Sequence, residues 1–102
     1  MADFPEPDAS AIKLTGLLQA LADEGRLTIV RELAAKGEAA CGSIELGVSK
    51  ATRSHHFKVL RESGITTTRT EGTRRCVSLR RDDLDERFPG LLDALLAAQP
   101  TA

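Results

Sequence analysis

The side chains best suited to contact another molecule lie in one stretch of the sequence, from Ser49 to Leu79. After Ser49 come six residues that are small, charged or hydrogen-bonding: Lys50, Ala51, Thr52, Arg53, Ser54 and His55. Ammonium, hydroxyl and imidazole groups can bond to base edges in the major groove of DNA, and an alanine methyl can contact a thymine methyl. The chain shows no nucleophile–base–acid set and no glycine-rich phosphate loop. Its chemistry therefore indicates recognition of nucleic acid, and we expect no enzyme.

These residues are predicted to open a helix that runs from Ser49 to Gly64. Ser49 is a good N-cap, because its hydroxyl can accept from a backbone N–H of the first turn. Gly64 suits the left-handed conformation in which helices commonly end. One side of the helix is apolar only in its second half, at Phe57 and Leu60. A helix with an anchored tail and a polar tip is suited to enter the major groove, as the second helix of a helix-turn-helix does.

A basic β-hairpin is predicted to follow this helix. Residues 65–70 are rich in β-branched side chains, which favour a strand. Gly72 suits a tight turn, and residues 74–79 form the return strand. Arg69, Arg74 and Arg75 lie near the turn, where they can reach phosphates or the minor groove. A hairpin beside a recognition helix is the wing of a winged helix-turn-helix.

Three segments resemble, in the same order, the ArsR/SmtB family of bacterial winged helix-turn-helix transcriptional repressors. They are Ala22–Leu27 (ADEGRL), Ser54–Glu62 (SHHFKVLRE) and Glu71–Arg75 (EGTRR), within a likeness that extends from Leu14 to Leu79. The resemblance implies base contacts from Lys50, Ser54 and His55, with Ala51 and Thr52 nearby. Phosphate contacts are expected from Ser49, Thr52, Lys58 and the wing arginines Arg69, Arg74 and Arg75.

Two positions of the recognition helix need separate interpretation. Arg53 departs from the family pattern, which usually has an apolar residue there. It either extends to a phosphate along its aliphatic stem or indicates different local packing. His56 lies about 100° around the helix from His55, and we expect it to support the packing of the helix pair.

The net charge alone argues against a DNA-binding protein, because the 102 residues carry a formal net charge of −1. The charges are segregated, however. Residues 48–81 hold nine Lys/Arg and two acidic residues, whereas the other residues hold five and thirteen. Phosphate binding responds to the local field, so this distribution predicts one positive surface on an acidic body. A solvated basic hairpin is the alternative interpretation.

The predicted fold is mainly α-helical with a small β-hairpin, a dimeric winged helix-turn-helix in the order α-α-α-α-β-β-α. The length suits one domain, which we place at residues 10–98 between a flexible N-terminal arm at 1–9 and a tail at 99–102. The first helix is predicted at Ala11–Leu21. The second begins after the cap Asp23, reaches Ala34 or Ala35, and ends at Gly37.

The remaining helices are shorter. Residues 38–48 should hold the first helix of the helix-turn-helix, with one or two turns and with helical residues at Ile44–Leu46 before Gly47. After the wing we expect a helical turn at 82–88, capped by Asp82. A terminal helix is expected at 90–98, with Pro89 permitting a fresh start.

Two leucine stripes need a surface to cover. They are Leu14, Leu17, Leu18 and Leu21 in the first helix, and Leu91, Leu92, Leu95 and Leu96 in the last. In the resembled family these two helices form the dimer interface, so the resemblance implies a homodimer through these leucines. Burial of both stripes within one protomer is the alternative.

No stretch approaches the roughly 20 apolar residues of a membrane span, and the N-terminus lacks a secretory signal. We therefore expect a cytoplasmic protein without membrane contact.

Metal and thiol chemistry are less well supported. Adjacent helical residues diverge, so His55 and His56 are poorly placed to bind one ion. The metal sites of the resembled family are incomplete, since Ser43 stands where a second cysteine after Cys41 would fall and no histidine follows His56. We predict no metal and no cofactor. Cys41 and Cys76 lack metal or redox spacing, but the position of Cys41 at a helix start would lower a thiol pKa.

Together these observations predict a DNA-binding transcriptional regulator, a homodimeric repressor that binds an inverted-repeat operator through helix 49–64 and wing 65–79. Its partners are double-stranded DNA and a second copy of the chain, and the sequence identifies no effector. Two alternatives remain. One is a thiol-based redox-sensing repressor that uses Cys41, and the other is a winged-helix interaction module that does not bind DNA.

Overall fold

The computed structural model describes residues 6–98, in which five α-helices accompany a three-stranded sheet and two 3₁₀ turns. In chain order the elements are α1 (Leu14–Leu21), α2 (Glu24–Lys36), β1 (Glu38–Ala40), α3 (Lys50–Glu62), β2 (Thr66–Glu71), β3 (Arg74–Leu79), α4 (Arg81–Arg87) and α5 (Leu91–Ala97). The prediction of a mainly helical fold with a small β-hairpin is confirmed. The tail at 99–102 and the first five residues of the predicted arm lie outside the described residues.

Helix α2 begins and ends as its sequence predicts. The Asp23 carboxylate accepts from the backbone N–H of Arg26 at 3.0 Å, which satisfies one of the free donors of the first turn. Gly37 follows the last turn with φ +83°. Helix α1 is shorter than predicted, because Ala11 belongs to a 3₁₀ turn at Ala9–Ala11 and the backbone at Ile12 is extended. That extension turns the Ile12 side chain into the core.

The sheet is antiparallel with the strand order β1-β3-β2. In the predicted hairpin, Thr66 pairs with Leu79 and Glu71 with Arg74, and Gly72 makes the turn with φ +64°. The third strand, β1, was not predicted. Its central residue Ala39 pairs with Val77 and is buried with it.

The segment between α2 and α3 corrects the predicted helix. Residues 38–40 are a strand, the single helical turn is the 3₁₀ turn at Cys41–Ser43, and Ile44–Leu46 is not helical. The backbone of Ile44 is extended (φ −97°, ψ 116°) and its side chain is buried in the same core as Phe57 and Leu60. Pairing with β3 takes up the first three residues, and after the 3₁₀ turn the chain extends and Ile44 enters the core.

The ends of the last two helices also differ from prediction. Helix α4 begins at Arg81 after Arg80, so Asp82 lies in its first turn and is not the cap. Helix α5 begins at Leu91, preceded by Gly90 with φ +81°, so Pro89 stands outside the helix.

The arm predicted at 1–9 is held in place over its described part. The Glu6 carboxylate accepts from the Thr67 hydroxyl and from the backbone N–H of Thr68 at 2.8 Å. The Arg80 guanidinium donates to the Pro7 carbonyl at 2.7 Å. Glu6 therefore covers part of the outer edge of β2, a strand edge with unpaired backbone groups, while Pro7 lies against Arg80.

The core is aliphatic and joins all parts of the fold. Its most deeply buried side chains are Ile12, Ile29, Val30, Leu33, Leu60, Ile65, Thr66 and Val77. The C-terminal half of α3 lies on this core, while its N-terminal half projects beyond it. This arrangement fixes the helix at one end only.

Candidate nucleic-acid interface

The tip of α3 is capped and open to solvent. The Ser49 hydroxyl oxygen accepts from the Thr52 backbone N–H at 3.1 Å, as predicted for an N-cap, and the Ser49 hydroxyl donates to Thr52 Oγ1 at 3.0 Å. Seven predicted contact residues are exposed: Ser49, Lys50, Ala51, Thr52, Ser54, His55 and Lys58. No segment between residues 6 and 98 covers them, so the tip can enter a groove without rearrangement of the fold.

The opposite side of α3 anchors the helix. Phe57 and Leu60 belong to the core, and His56 is only 8% exposed. The Asp23 carboxylate and the Arg26 guanidinium of α2 lie beside the His56 ring. The expected role of His56 in supporting the helix packing thus has partners in the structure, and Arg26 is one that the sequence analysis did not single out.

A basic cleft separates α3 from the β-hairpin. It has a volume of about 350 Å³. Its lining includes four cations and two hydroxyls, contributed by Lys50, Arg53, Arg61 and Arg75 and by Ser54 and Thr68. Such a concentration of positive charge between a helix and a hairpin suits a phosphate backbone.

Arg53 and Arg61 both line this cleft. The side chain of Arg53, where the resembled family usually has an apolar residue, therefore borders a basic cleft. Arg53, Phe57 and Arg61 are spaced four residues apart, and i, i+4 residues share a helix face. Arg53 is half-buried along the cleft wall. Arg61 was not among the predicted contact residues, although this spacing was a signal that it shares a face with Arg53.

The three wing arginines have different surroundings. Arg69 forms ion pairs with Glu71 and, at 2.7 Å, with Glu38, and these two carboxylates raise the pKa of its guanidinium. Its charge is therefore balanced within the protein. Arg74 is exposed at the turn and has no carboxylate partner among residues 6–98. Arg75 is exposed and lines the basic cleft. Arg74 is therefore better placed than Arg69 to receive a phosphate.

The two cysteines offer little support for thiol chemistry. Cys41 is half-buried at the edge of the basic cleft, and burial raises the pKa of its thiol although Arg75 opposes the effect. This corrects the expectation that a helix start would lower that pKa, because Cys41 begins a single 3₁₀ turn and not an α-helix. Cys76 is buried in the sheet.

The described part of the chain lacks both a metal-binding cluster and a membrane-spanning helix. Residues 6–98 contain no cluster of three His, Cys, Asp or Glu side chains that could hold a metal ion. None of the helices in this range has the length and apolar character needed to span a bilayer.

An apolar face lies away from the basic cleft, on α1 and α5. Leu14 and Leu18 are exposed to 45% and 46%, respectively, although they are large and apolar. Beside them a groove includes the partly buried Leu21, Leu91 and Leu95. Two of the leucines predicted at the dimer interface, Leu17 and Leu92, are instead buried in the protomer core. The α1 stripe is therefore divided between the core and the surface.

Comparisons with known proteins identify relatives of this chain. Residues 23–68 match the family described as "Bacterial regulatory protein, arsR family". The chain is 43% identical over 82 residues to the HTH-type transcriptional regulator YceK of Bacillus subtilis (strain 168), an alignment that covers 78% of this chain and 82% of that protein.

Solved structures give the same result for the fold. Reduced HlyU from Vibrio cholerae is 29% identical with a TM-score of 0.64, and the alignment covers 83% of this chain and 88% of HlyU. The transcriptional regulator HlyU from Vibrio vulnificus is 30% identical with a TM-score of 0.63, covering 84% of this chain and 86% of that one.

Proposed function

This chain belongs to the ArsR family of bacterial regulatory proteins and is a DNA-binding transcriptional regulator, not an enzyme, and we propose that it acts as a homodimeric repressor on an inverted-repeat operator. The observation that supports this proposal best is the exposed, polar tip of α3 beside a cleft lined by Lys50, Arg53, Arg61 and Arg75. Occupation of a promoter by such a protein is sufficient to block transcription, and a bacterial regulator of this kind acts in the cytoplasm.

Base readout is assigned to the first turns of α3. Lys50, Ser54 and His55 present an ammonium, a hydroxyl and an imidazole on the exposed tip, and these groups can reach guanine or adenine edges in the major groove. Around the helix the Ala51 methyl lies between Ser54 and His55, and Thr52 follows beyond His55. This set supplies the sequence preference of the complex.

Phosphate contacts are assigned to the residues around the tip. The cleft arginines Arg53, Arg61 and Arg75 line one side, Lys58 is exposed on the helix, and Arg74 is exposed at the hairpin turn. Contacts of this kind fix the register of the protein on DNA and make the affinity depend on salt. Arg69 contributes less, because Glu38 and Glu71 already pair with it.

A second copy of the chain is assigned to the apolar face of α1 and α5. Leu14 and Leu18 are exposed, and Leu21, Leu91, Leu95 and Leu96 are only partly buried. In a two-fold dimer the recognition helices would enter successive major grooves about 34 Å apart. The two-fold symmetry of such a dimer calls for an inverted-repeat operator.

Fluorescence anisotropy at two salt concentrations tests the proposal. The probe is duplex DNA from upstream of the protein's own gene, and the control is a random duplex of equal length. Preferential binding that weakens steeply with salt is the expected result. Binding without preference over the random duplex contradicts the operator, and absence of a salt slope contradicts the assigned phosphate contacts. A protein-interaction module of the same fold would give both negative results.

Variants separate base readout from phosphate binding. Lys50→Ala and Ser54→Ala should relax the preference at individual base pairs, by about 1–3 kcal/mol for each lost base contact. Arg74→Ala should weaken operator and random duplex about equally. If Lys50→Ala weakens both duplexes equally, the assignment of Lys50 to a base is wrong.

A further inference from the structure

A polar bridge joins three helices behind the recognition face, and its centre is Arg26 of α2. The Arg26 Nε donates to the Ala20 carbonyl oxygen near the end of α1 at 2.6 Å. Its terminal nitrogen Nη1 lies 3.3 Å from Nδ1 of His56 on α3. Its backbone N–H donates to the Asp23 cap. One side chain therefore connects α1 and α2 to the recognition helix.

The chemistry of this bridge fixes the proton on His56. A guanidinium carries only donors, so Nδ1 of His56 must accept and the ring proton must reside on Nε2. Nε2 faces Asp23 Oδ1 at 3.8 Å, which is too long for a hydrogen bond but close enough for attraction. His56 is nearly buried. The bridge thus requires a neutral imidazole in a single tautomer.

Glycine at position 25 permits this close approach. A Cβ at Gly25 would lie 3.1 Å from His56 Nε2 and 3.1 Å from Asp23 Oδ1, closer than most real contacts. The substitution Gly25→Ala therefore forces the imidazole or the Asp23 carboxylate to shift by a few tenths of an ångström, without removing any charged group.

We propose that Arg26 and neutral His56 form a positioning pair that sets the orientation of α3 for specific DNA binding. The proposal rests on the assignment of the α3 tip to base readout. His56 is six residues from Lys50, about 9 Å along the helix axis, so a small rotation at His56 displaces the base-reading tip. Neither Arg26 nor His56 is a base contact, because both lie on the protected side of the helix.

The same geometry makes the bridge sensitive to pH. The charged and titratable groups that face His56 are Asp23 and Arg26 of the α2 end and His55 of α3, whose ring centroid is 6.4 Å away. Protonation places a donor at Nδ1, opposite the donors of Arg26. The Arg26 backbone N–H holds the pKa of Asp23 below its usual range, so Asp23 stays charged and attracts the imidazolium. The ring is drawn away from Arg26 and the bridge opens.

The first test compares the ratio of operator affinity to random-duplex affinity at fixed salt. His56→Gln keeps an acceptor for Arg26, so it should retain most of the wild-type ratio. His56→Leu removes the acceptor and should lower the ratio about tenfold, the size of one hydrogen bond to a charged group. Circular dichroism verifies that each variant is folded at the assay temperature. An unchanged ratio in folded His56→Leu overturns the proposal.

The second test is the pH profile of that ratio between about pH 8 and 5, the range in which histidines take up protons. The wild-type ratio should fall toward acid pH, and His56→Gln should remove the fall. His55→Gln, on the same helix, removes an assigned base contact and should lower the ratio at every pH, but the relative fall toward acid pH should remain. If the fall persists in His56→Gln, the pair does not carry the pH response. Should His56→Leu fail to fold, Gly25→Ala replaces it, with the same expected loss of specificity.

A measurement without DNA distinguishes failure of this proposal from failure of the proposed operator. Nitrogen-15 NMR of the imidazole should report an unprotonated Nδ1 and a protonated Nε2 for His56 at pH 8. Arg26→Gln should change this tautomer signature. A proton on Nδ1 in the wild type overturns the positioning pair even if operator binding is normal. A wild type that lacks operator preference but shows the expected tautomer contradicts the operator alone.

Discussion

Two arginines on the same hairpin show how the surroundings of a side chain decide its use. Arg69 lies between Glu38 and Glu71, whereas Arg74 at the turn has no carboxylate partner within residues 6–98. A phosphate that approached Arg69 would have to compete with two carboxylates, while at Arg74 it would displace only water and counterions. Two arginines of equal charge are therefore expected to contribute unequally to the release of counterions from DNA.

We accordingly predict different salt dependences for two matched variants. Arg74→Ala should reduce the slope of log affinity against log salt by about 1. Arg69→Ala should leave the slope nearly unchanged, because the guanidinium it removes is already neutralised. Anisotropy titrations over a series of salt concentrations measure both slopes. Equal reductions in the two variants would show that Arg69 leaves its carboxylates when DNA binds.

Ser49 has a structural role that can be separated from any contact with DNA. Ser49→Ala should lower the free energy of unfolding by about 1 kcal/mol, because the Thr52 N–H loses its acceptor. Ser49→Asp keeps an acceptor and should retain stability, but it places a negative charge at the tip and should weaken DNA binding strongly. Urea denaturation and anisotropy are the measurements. If Ser49→Asp binds DNA like the wild type, the tip does not approach phosphates.

At this scale the sequence predicted the two helix caps, because their signals are local. The caps Ser49 and Asp23 act within three residues of themselves and appear as predicted. The neutralisation of Arg69 was not predictable, since Glu38 approaches it only through the pairing of β1 with β3. The position of Arg26 against His56 likewise depends on how α2 and α3 pack, which no local pattern encodes.

The helices and strands also differ in whether local sequence signals predict them. Helix α2 and the hairpin were predictable from a cap, a turn glycine and β-branched residues. Strand β1 has three residues and is defined only by its partner, since Ala39 pairs with Val77 far along the chain. A segment this short shows no periodicity of its own. Its pairing takes up residues 38–40, at the start of the segment in which a helix was predicted.

The junction between α3 and β2 depends on one close contact. Gly64 has φ +90°, and a Cβ there would lie 2.5 Å from Cγ1 of Ile12, a fully buried side chain. Helix α3 therefore ends where the extended segment before α1 inserts into the core. Local conformation and packing require glycine at the same position, and for independent reasons.

We predict that Gly64→Ala destabilises the protein by about 2–5 kcal/mol, the sum of left-handed strain and overpacking. Gly90→Ala is the control, because Gly90 also has a left-handed backbone conformation but has open space around its Cα. That variant should lose only about 1–2 kcal/mol from strain. Urea denaturation gives both values. Equal losses would mean that Ile12 moves away without cost.

On the scale of the whole molecule, segregated charge and an exposed apolar face give the protein two functional sides. The α3 tip, the cleft and the hairpin turn carry six of the nine basic residues between 48 and 81, whereas Arg69, Arg80 and Arg81 pair with carboxylates. Leu14 and Leu18 are exposed on α1. The bridge from Arg26 to Ala20 and His56 connects α1, on the apolar side, to α3, on the basic side. The helix assigned to dimer assembly and the helix assigned to DNA recognition would thus be connected through one side chain, Arg26.

The final prediction concerns assembly. Leu18→Glu should convert the proposed dimer to a monomer, because it removes a leucine whose burial contributes about 1.5–3 kcal/mol and places a charge in each copy of a two-fold contact. Gln19→Glu adds the same charge at the next exposed position of α1 and should remain dimeric. Sedimentation equilibrium measures the mass. The monomer should also lose operator affinity by at least about tenfold, since only one half-site can bind at a time. A Leu18→Glu protein that sediments as a dimer would place the interface elsewhere on the molecule.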